Sequence, residues 1–222
     1  MSTSPLDLDP YVIPMLRGEK ILDLGCGYGH WGHLARTHYA ALQSARVTIT
    51  GVDLFEGNVT LCRGMGVYDD VAHEDVLAFL ARQADGAFDS IIAAELIEHF
   101  SREDGAKLLD QLDRVAAKVV VVSTPNYAAY RGGGETMVGF NEWEHHLSQW
   151  APIDFRARGY KVMGVSHKLH KRVPGAYRVL TKFPTLNALA RAYAETHPSI
   201  ALNLLAVKHM DTAPTNFVFG LG

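Results

Sequence analysis

One acid and two imidazoles are the residues of this sequence best suited to moving a proton. Glu98 and His99 are neighbours, and His146 follows in Glu142 to Trp150, which packs acids, imidazoles and indoles together. An unperturbed imidazole has a pKa of about 6.5, so His99 could take a proton from a hydroxyl group near neutrality. We therefore predict three catalytic residues: His99 as general base, Glu98 to orient it, and His146 beside them. The alternative is that the His99 ring only caps a helix or supports a neighbour.

A glycine-rich turn is the clearest sign of a ligand site. Gly25, Gly27 and Gly29 follow an apolar run, so bare backbone N–H groups can approach a ligand that a Cβ would obstruct. Where the dinucleotide fingerprint has its third glycine the chain has His30, and Asp23 lies two residues before Gly25. A carboxylate there opposes a pyrophosphate but can accept hydrogen bonds from an ammonium group. The turn therefore indicates a nucleotide-containing cofactor other than a dinucleotide, or else a tight turn without a ligand.

A sheet is needed to bring these residues together, and the chain alternates strand and helix patterns throughout. The predicted strands are Lys20 to Leu24, Arg46 to Val52, Val67 to His73, Phe88 to Ala94, Lys118 to Ser123, Gly159 to Val165 and Ala201 to Lys208. The predicted helices are Trp31 to Tyr39, Gly57 to Gly66, Leu77 to Gln83, Arg102 to Ala116, Ile153 to Arg158 and Leu186 to Ala194. The fourth strand is almost entirely apolar, as a central parallel strand covered on both faces must be.

Acids follow the ends of these strands. Asp53 ends the second strand, where one carboxylate suits the two hydroxyls of a ribose. A helix N-cap is the alternative for Asp53. The fourth strand delivers Glu95 to the same edge as Gly25 and Asp53. The spacing therefore predicts one ligand site along the carboxyl edge of the sheet.

The motif from Asp23 to Gly29 resembles the first motif of the class I S-adenosylmethionine-dependent methyltransferases. Glu95-Leu96-Ile97-Glu98-His99, paired with Ser123-Thr124-Pro125-Asn126, is similar to the branch that includes ubiquinone-biosynthesis, natural-product and sugar O-methyltransferases. The resemblance covers roughly residues 18–165. It implies an α/β fold: a Rossmann-like seven-stranded methyltransferase sheet with helices on both faces.

The resemblance also implies a cofactor, S-adenosylmethionine, and roles for single residues. Asp23 and the glycines would hold its methionine part and Asp53 its ribose. Asp75 would read the adenine amine while the next backbone N–H meets a ring nitrogen, unless Asp75 is an ordinary helix N-cap. The predicted cofactor-binding set is Asp23, Gly25, Cys26, Gly27, Asp53, Leu54, Asp75, Val76 and Glu95.

A variant of this site contains a metal ion. Glu95, Glu98, His99 and His146 resemble the metal-binding set of the small-RNA 3′-terminal 2′-O-methyltransferases, which also carry Thr-Pro-Asn at strand five. Two carboxylates with imidazoles could hold a divalent cation that lowers the pKa of both hydroxyls of an acceptor diol. Our main prediction assigns no residue to a metal, and a divalent metal at these four positions is the alternative.

Composition limits the remaining choices. The 222 residues suffice for one domain, residues 1–222, with a cofactor-binding half at 18–126 and an acceptor-side half at 127–222. A formal charge of −3 gives no bulk basic field to attract nucleic acid. Two cysteines make no disulfide framework, no leader-like pattern is visible, and no apolar run is long enough to span a membrane. We expect a cytoplasmic protein.

The acceptor side departs from the pattern through an insertion at about 166–198, where the branch normally has a short hairpin. It holds a basic cluster and then an apolar run. The cluster is Lys168, His170, Lys171, Arg172, Arg178 and Lys182, and the run includes Leu186, Leu189, Ala190 and Tyr193. We expect a lid over a small-molecule acceptor, with the cluster binding an anionic group. A homodimer interface is the alternative.

The sequence thus predicts an O-methyltransferase for a small polar metabolite, natural product or sugar. Two alternatives stay open: a metal-dependent RNA 2′-O-methyltransferase, and a non-catalytic, cofactor-binding regulatory subunit.

Overall fold

The computed structural model describes residues 4–42, 46–126, 133–168 and 182–210. The strands are β1 (Lys20–Leu24), β2 (Thr48–Asp53), β3 (Asp70–His73), β4 (Phe88–Ala94), β5 (Ala116–Pro125), β6 (Gly134–Thr136), β7 (Gly139–Asn141), β8 (Lys161–Val165) and β9 (Asn203–His209). Seven of them form one sheet in the order β3-β2-β1-β4-β5-β9-β8. Strands β1 to β5 are parallel, and β9 runs antiparallel to both of its neighbours. The predicted Rossmann-like seven-stranded sheet is confirmed.

Helices cover both faces of this sheet, as predicted. They are α1 (Asp9–Val12), α2 (His30–Ala41), α3 (Glu56–Met65), α4 (Val76–Ala81), α5 (Arg102–Val115), α6 (Pro152–Arg156) and α7 (Pro184–Thr196). One apolar core joins α4, α5 and α6 to the sheet, and a second joins α1 and α2 to its other face. The N-terminal turns belong to this second core because Leu8, Val12 and Leu16 are buried in it.

The third strand starts at Asp70, three residues later than predicted. The carbonyl oxygen of Val67 accepts hydrogen bonds from the Arg36 guanidinium at 3.0 and 2.9 Å, and the Asp69 carboxylate accepts one from the backbone N–H of Ile49. Hydrogen bonds to side chains therefore fix the segment before Asp70, where the sequence pattern had predicted the first residues of the strand. Strands β6 and β7 form a separate hairpin that the sequence did not predict.

Helix α7 lies against β8, where a Cβ on Gly164 would come within 2.3 Å of the carbonyl oxygen of Ala194. Leu186, Leu189 and Tyr193 of this helix are 47, 66 and 55% exposed, so they do not belong to the core of the described chain. Among the predicted basic cluster, His170, Lys171, Arg172 and Arg178 lie outside the described residues.

No helix within the described ranges is long and apolar enough to cross a bilayer.

Candidate active site

A cavity of about 330 Å³ opens at the carboxyl edge of strands β1 to β4. Nine of the predicted site residues line it: Gly25, Cys26, Gly27, Asp53, Leu54, Asp75, Val76, Glu95 and His99. Three do not: Asp23, Glu98 and His146. Topology brings these residues together, because neighbouring parallel strands end at the same edge of the sheet.

The glycine turn forms the floor of the cavity. Gly25, Gly27 and Gly29 have φ values of 66°, 52° and 80°, a backbone region that other residues rarely adopt. A Cβ on Gly25 would lie 2.9 Å from Cδ1 of Leu96. The N–H groups of Gly25 and Cys26 both donate to the carbonyl oxygen of Val52, at 2.8 and 3.1 Å. These bonds tie the turn to the end of β2.

Asp53 is hydrogen-bonded to the glycine turn and also lines the cavity. Its carboxylate accepts hydrogen bonds from the backbone N–H groups of Gly27 and Phe55, both at 2.9 Å, and from the Asn58 amide at 3.2 Å. Burial raises the pKa of Asp53, and the backbone hydrogen bonds oppose that rise. Oδ1 has one of these donors and can accept another, so Asp53 can bind one ligand hydroxyl strongly.

Asp75 combines the two roles that the sequence left open. Its carboxylate caps α4 by accepting a hydrogen bond from the backbone N–H of Ala78 at 2.9 Å, and it also lines the cavity beside Val76. The N-cap is therefore observed, and a contact with a ligand stays a prediction.

Asp23 lies behind the wall of the cavity. It is 1% exposed, and the hydroxyl of Tyr68 donates to its Oδ2 at 2.6 Å. Burial raises the pKa of Asp23 to about 7. Its Oδ1 is buried without a hydrogen-bond partner in the described part of the chain, and a role for Asp23 in holding the methionine part of the cofactor stays a prediction.

Glu95 has an unusual backbone conformation, with φ at 53°. The Ser123 hydroxyl donates to its Oε1 at 2.8 Å and the Asn203 amide to its Oε2 at 3.1 Å. Burial raises the pKa of Glu95 to about 7. Asn203 comes from β9 and had no signal in the sequence.

His99 differs from the sequence prediction in its partner and in its pKa. The ring donates from Nδ1 to the backbone carbonyl oxygen of His145 at 2.8 Å, so His145 orients it and Glu98 does not. Burial lowers the pKa of His99 to about 4, well below the unperturbed value expected from the sequence. The ring is therefore neutral at physiological pH, and Nε2 carries its lone pair.

Glu98 is buried and accepts a hydrogen bond from the Thr124 hydroxyl at 2.9 Å. Burial and the nearby Glu95 charge raise its pKa. The His146 ring meets the His99 ring edge to face, with centroids 5.1 Å apart. One ligand atom from each of Glu98, His99 and His146 lies within 4.8 Å of the others, close enough for a shared metal ion. Glu95, predicted as a fourth ligand, is not part of this group.

The remaining wall comes from the stretch rich in acids and indoles. Asn141, Trp143, Glu144 and Leu147 line the cavity, and Trp143 is half exposed. The backbone N–H of Leu147 donates to the carbonyl oxygen of Glu98 at 2.8 Å, which holds this stretch beside His99. No described residue of the 166–198 insertion lines the cavity, so the expected lid is not observed in that part of the chain.

Comparisons with known proteins agree with this architecture. A family model described as methionine biosynthesis protein MetW matches residues 9–135. A SAM-dependent methyltransferase from Archaeoglobus fulgidus is 18% identical, with 91% of this chain and 90% of that chain covered and a TM-score of 0.55. An S-adenosylmethionine-dependent methyltransferase from Mesorhizobium loti is 18% identical, with 91% and 97% covered and a TM-score of 0.54. The PH0226 protein from Pyrococcus horikoshii is 14% identical, with 91% and 87% covered and a TM-score of 0.55. A search of curated proteins found no match. At these identities the solved structures establish a shared fold.

Proposed function

Because the chain belongs to the MetW family, whose description is methionine biosynthesis protein, we propose that it is an S-adenosylmethionine-dependent methyltransferase. The observation that carries this proposal is the cavity, which gathers the glycine turn, Asp53, Asp75 and Glu95 along one edge. The donors and acceptors fit the cofactor: a carboxylate for the ribose, a second acid for the adenine amine and a third near the amino-acid end. The names of two solved structures with the same fold agree with it.

The bound cofactor would supply a methyl group activated by a sulfonium. The chain itself positions the acceptor and keeps water away, which can account for most of the acceleration of an in-line displacement. We propose that the acceptor lies between His99 and the wall of Trp143 and Leu147, with its hydroxyl directed at Nε2 of His99. That nitrogen is neutral, so it can accept the hydroxyl proton.

The acceptor we propose is a small polar metabolite, natural product or sugar, methylated on oxygen. The described part of the cavity wall contains no Lys or Arg, which is unfavourable for RNA, with its phosphate groups. The family description refers to biosynthesis, and this also favours a metabolite over RNA as the acceptor.

A second candidate mechanism uses a divalent metal at Glu98, His99 and His146. The 4.8 Å grouping of their ligand atoms favours it, and so does the low pKa of His99, because a metal requires a neutral imidazole. In this mechanism His99 would be a ligand, and the acceptor hydroxyl would lose its proton because of the metal charge.

Transfer of a radiolabelled methyl group from the cofactor to a fractionated metabolite extract tests the proposal. We expect label in a small-molecule fraction with the wild type and far less with Asp53→Ala. Cofactor binding without any transfer would favour a non-catalytic regulatory subunit. Transfer to RNA alone would overturn the small-molecule acceptor.

A further inference from the structure

The backbone at Glu95 is bent to place its side chain. Among the described residues, Glu95 and Ser166 are the two non-glycine residues with positive φ. The bend at Glu95 is held by its own N–H, which donates to the carbonyl oxygen of Ser123 at 3.0 Å and to the Ser123 hydroxyl oxygen at 3.1 Å. Such a strained position persists only where the surroundings fix it, and it occurs often in ligand sites.

The carboxylate of Glu95 is fixed by neutral donors. Ser123 and Asn203 each donate to one of its oxygens, and each oxygen keeps a second acceptor site. No ion pair joins Glu95 to a Lys, Arg or His side chain of the described part of the chain. Glu95 is partly buried, and a carboxylate in such a place is destabilised when it has no counter-charge. A cation bound in the cavity would offset this destabilisation.

The order of the acids along the sheet edge indicates which charged group of the cofactor would lie beside Glu95. Reading across the edge from β3 through β2 and β1 to β4, the cavity presents Asp75, Asp53, the glycine turn and Glu95. The cofactor has the same linear order: adenine, ribose, the thioether or sulfonium link, and the amino acid. Its ammonium group would therefore meet Glu95, while Asp23 lies behind the wall and bonds to Tyr68.

We propose that Glu95 binds the α-ammonium group of the cofactor, and that Ser123 and Asn203 are positioning residues that orient its carboxylate. This inference rests on the proposed function. The approach of Asn203 is fixed by the neighbouring Asn126, whose amide donates to the carbonyl oxygens of Pro198 and Ala201 just before β9. Three strands, β4, β5 and β9, thus converge on one carboxylate.

The test compares ligands that differ by the amino group. Calorimetry would measure the affinities of S-adenosylhomocysteine, its desamino analogue and 5′-methylthioadenosine, which lacks the amino acid. We expect the wild type to prefer S-adenosylhomocysteine over the desamino analogue by roughly 10- to 100-fold, as for a charge-assisted hydrogen bond. Glu95→Gln should abolish this preference and leave the affinity for 5′-methylthioadenosine unchanged.

The positioning variants are Ser123→Ala and Asn203→Ala, for which we expect a reduced preference. A merely structural role would weaken all three ligands equally and leave the ratio intact. The control is Glu74→Gln, which removes the charge of a carboxylate that pairs with Arg82 and does not line the cavity. It should keep the wild-type preference.

Each outcome of these titrations supports or overturns a stated part of the proposal. A retained preference in Glu95→Gln overturns the ammonium assignment, and a retained preference in both positioning variants overturns their role. If Glu95→Gln does not fold, equal binding of the two ligands by the wild type, or an unchanged ratio in Ser123→Ala, overturns the proposal. Failure of the wild type to bind any of the three ligands would instead contradict the proposed function.

Discussion

The carboxylate of Asp53 accepts a hydrogen bond from the backbone N–H of Gly27 at 2.9 Å, so one side chain both shapes the glycine turn and faces the cavity. Asp53→Ala removes both functions. We expect it to weaken S-adenosylhomocysteine by about 1.5 to 3 kcal/mol, measured by calorimetry, because charge-assisted hydrogen bonds are lost. Adenine, which has no ribose, serves as the ligand control and should lose much less. Unchanged affinity for S-adenosylhomocysteine would rule out the ribose assignment.

The glycine turn makes a second prediction. Gly25→Ala places a Cβ at a φ of 66° and 2.9 Å from Leu96, so we expect about tenfold weaker cofactor binding or more. The control is Gly64→Ala in α3, where a Cβ would meet nothing within 4 Å. That change should leave binding intact and stabilise the helix by up to about 1 kcal/mol. Equal binding by the two variants would show that the turn does not approach the ligand.

Asp23 makes a prediction about stability. Its pKa is about 7 in the fold, raised by burial, against about 3.9 in an unfolded chain. Between these values the folded protein holds a proton that the unfolded chain lacks, so this contribution to stability falls as pH rises from about 4 to 7. Asp23→Asn, which still accepts from Tyr68, should therefore stabilise the ligand-free protein at pH 8 by about 1 to 3 kcal/mol. The gain should shrink toward pH 4 in denaturant titrations.

Asp89 serves as the control, because its contribution to stability changes with pH in the opposite direction. Burial alone would raise its pKa, but hydrogen bonds from the backbone of Glu19 and Lys20 and from the Lys118 side chain lower it. The stability that Asp89 contributes is present above its unfolded pKa and lost in acid. Asp89→Asn should therefore destabilise the protein at neutral pH, with the difference vanishing at low pH. The same pH trend in both variants would contradict the assignment for Asp23.

The metal alternative has a direct readout. If Glu98, His99 and His146 bind a divalent ion, elemental analysis and calorimetry with Mn²⁺ should give about one ion per chain, lost in His99→Ala and in His146→Ala. His145→Ala is the control, because His99 is oriented by the backbone carbonyl of His145. If no ion binds and methyl transfer survives a chelator, His99 is the base, and His99→Ala should slow turnover by about 10²- to 10⁴-fold.

The sequence was most informative where local pattern and topology coincide. An acid at the end of an apolar strand must lie at the carboxyl edge of a parallel sheet, so the positions of Asp53 and Glu95 were predictable, and the family resemblance added Asp75. The glycine spacing identified the turn for the same reason. The partners of these acids were not predictable, because Asn203 lies 108 residues from Glu95 and only the register of β9 with β5 brings it near.

Burial in the folded chain also determined properties of single residues that the sequence could not predict. The unperturbed pKa of a histidine suggested a base near neutrality, yet desolvation lowers the pKa of His99 to about 4. Asp23 matched a ligand-binding motif, and the structure adds that it is buried and accepts a hydrogen bond from Tyr68 on one carboxylate oxygen. Helix α7 packs on β8 through Ala194, and this packing leaves Leu186, Leu189 and Tyr193 exposed.

Calorimetric titration of the wild type with S-adenosylhomocysteine tests the central claim most directly, with NAD as the comparison ligand. The account predicts one binding site per chain for S-adenosylhomocysteine, with an affinity that Asp53→Ala weakens, and no measurable binding of NAD. Binding of NAD with no heat from S-adenosylhomocysteine would contradict it.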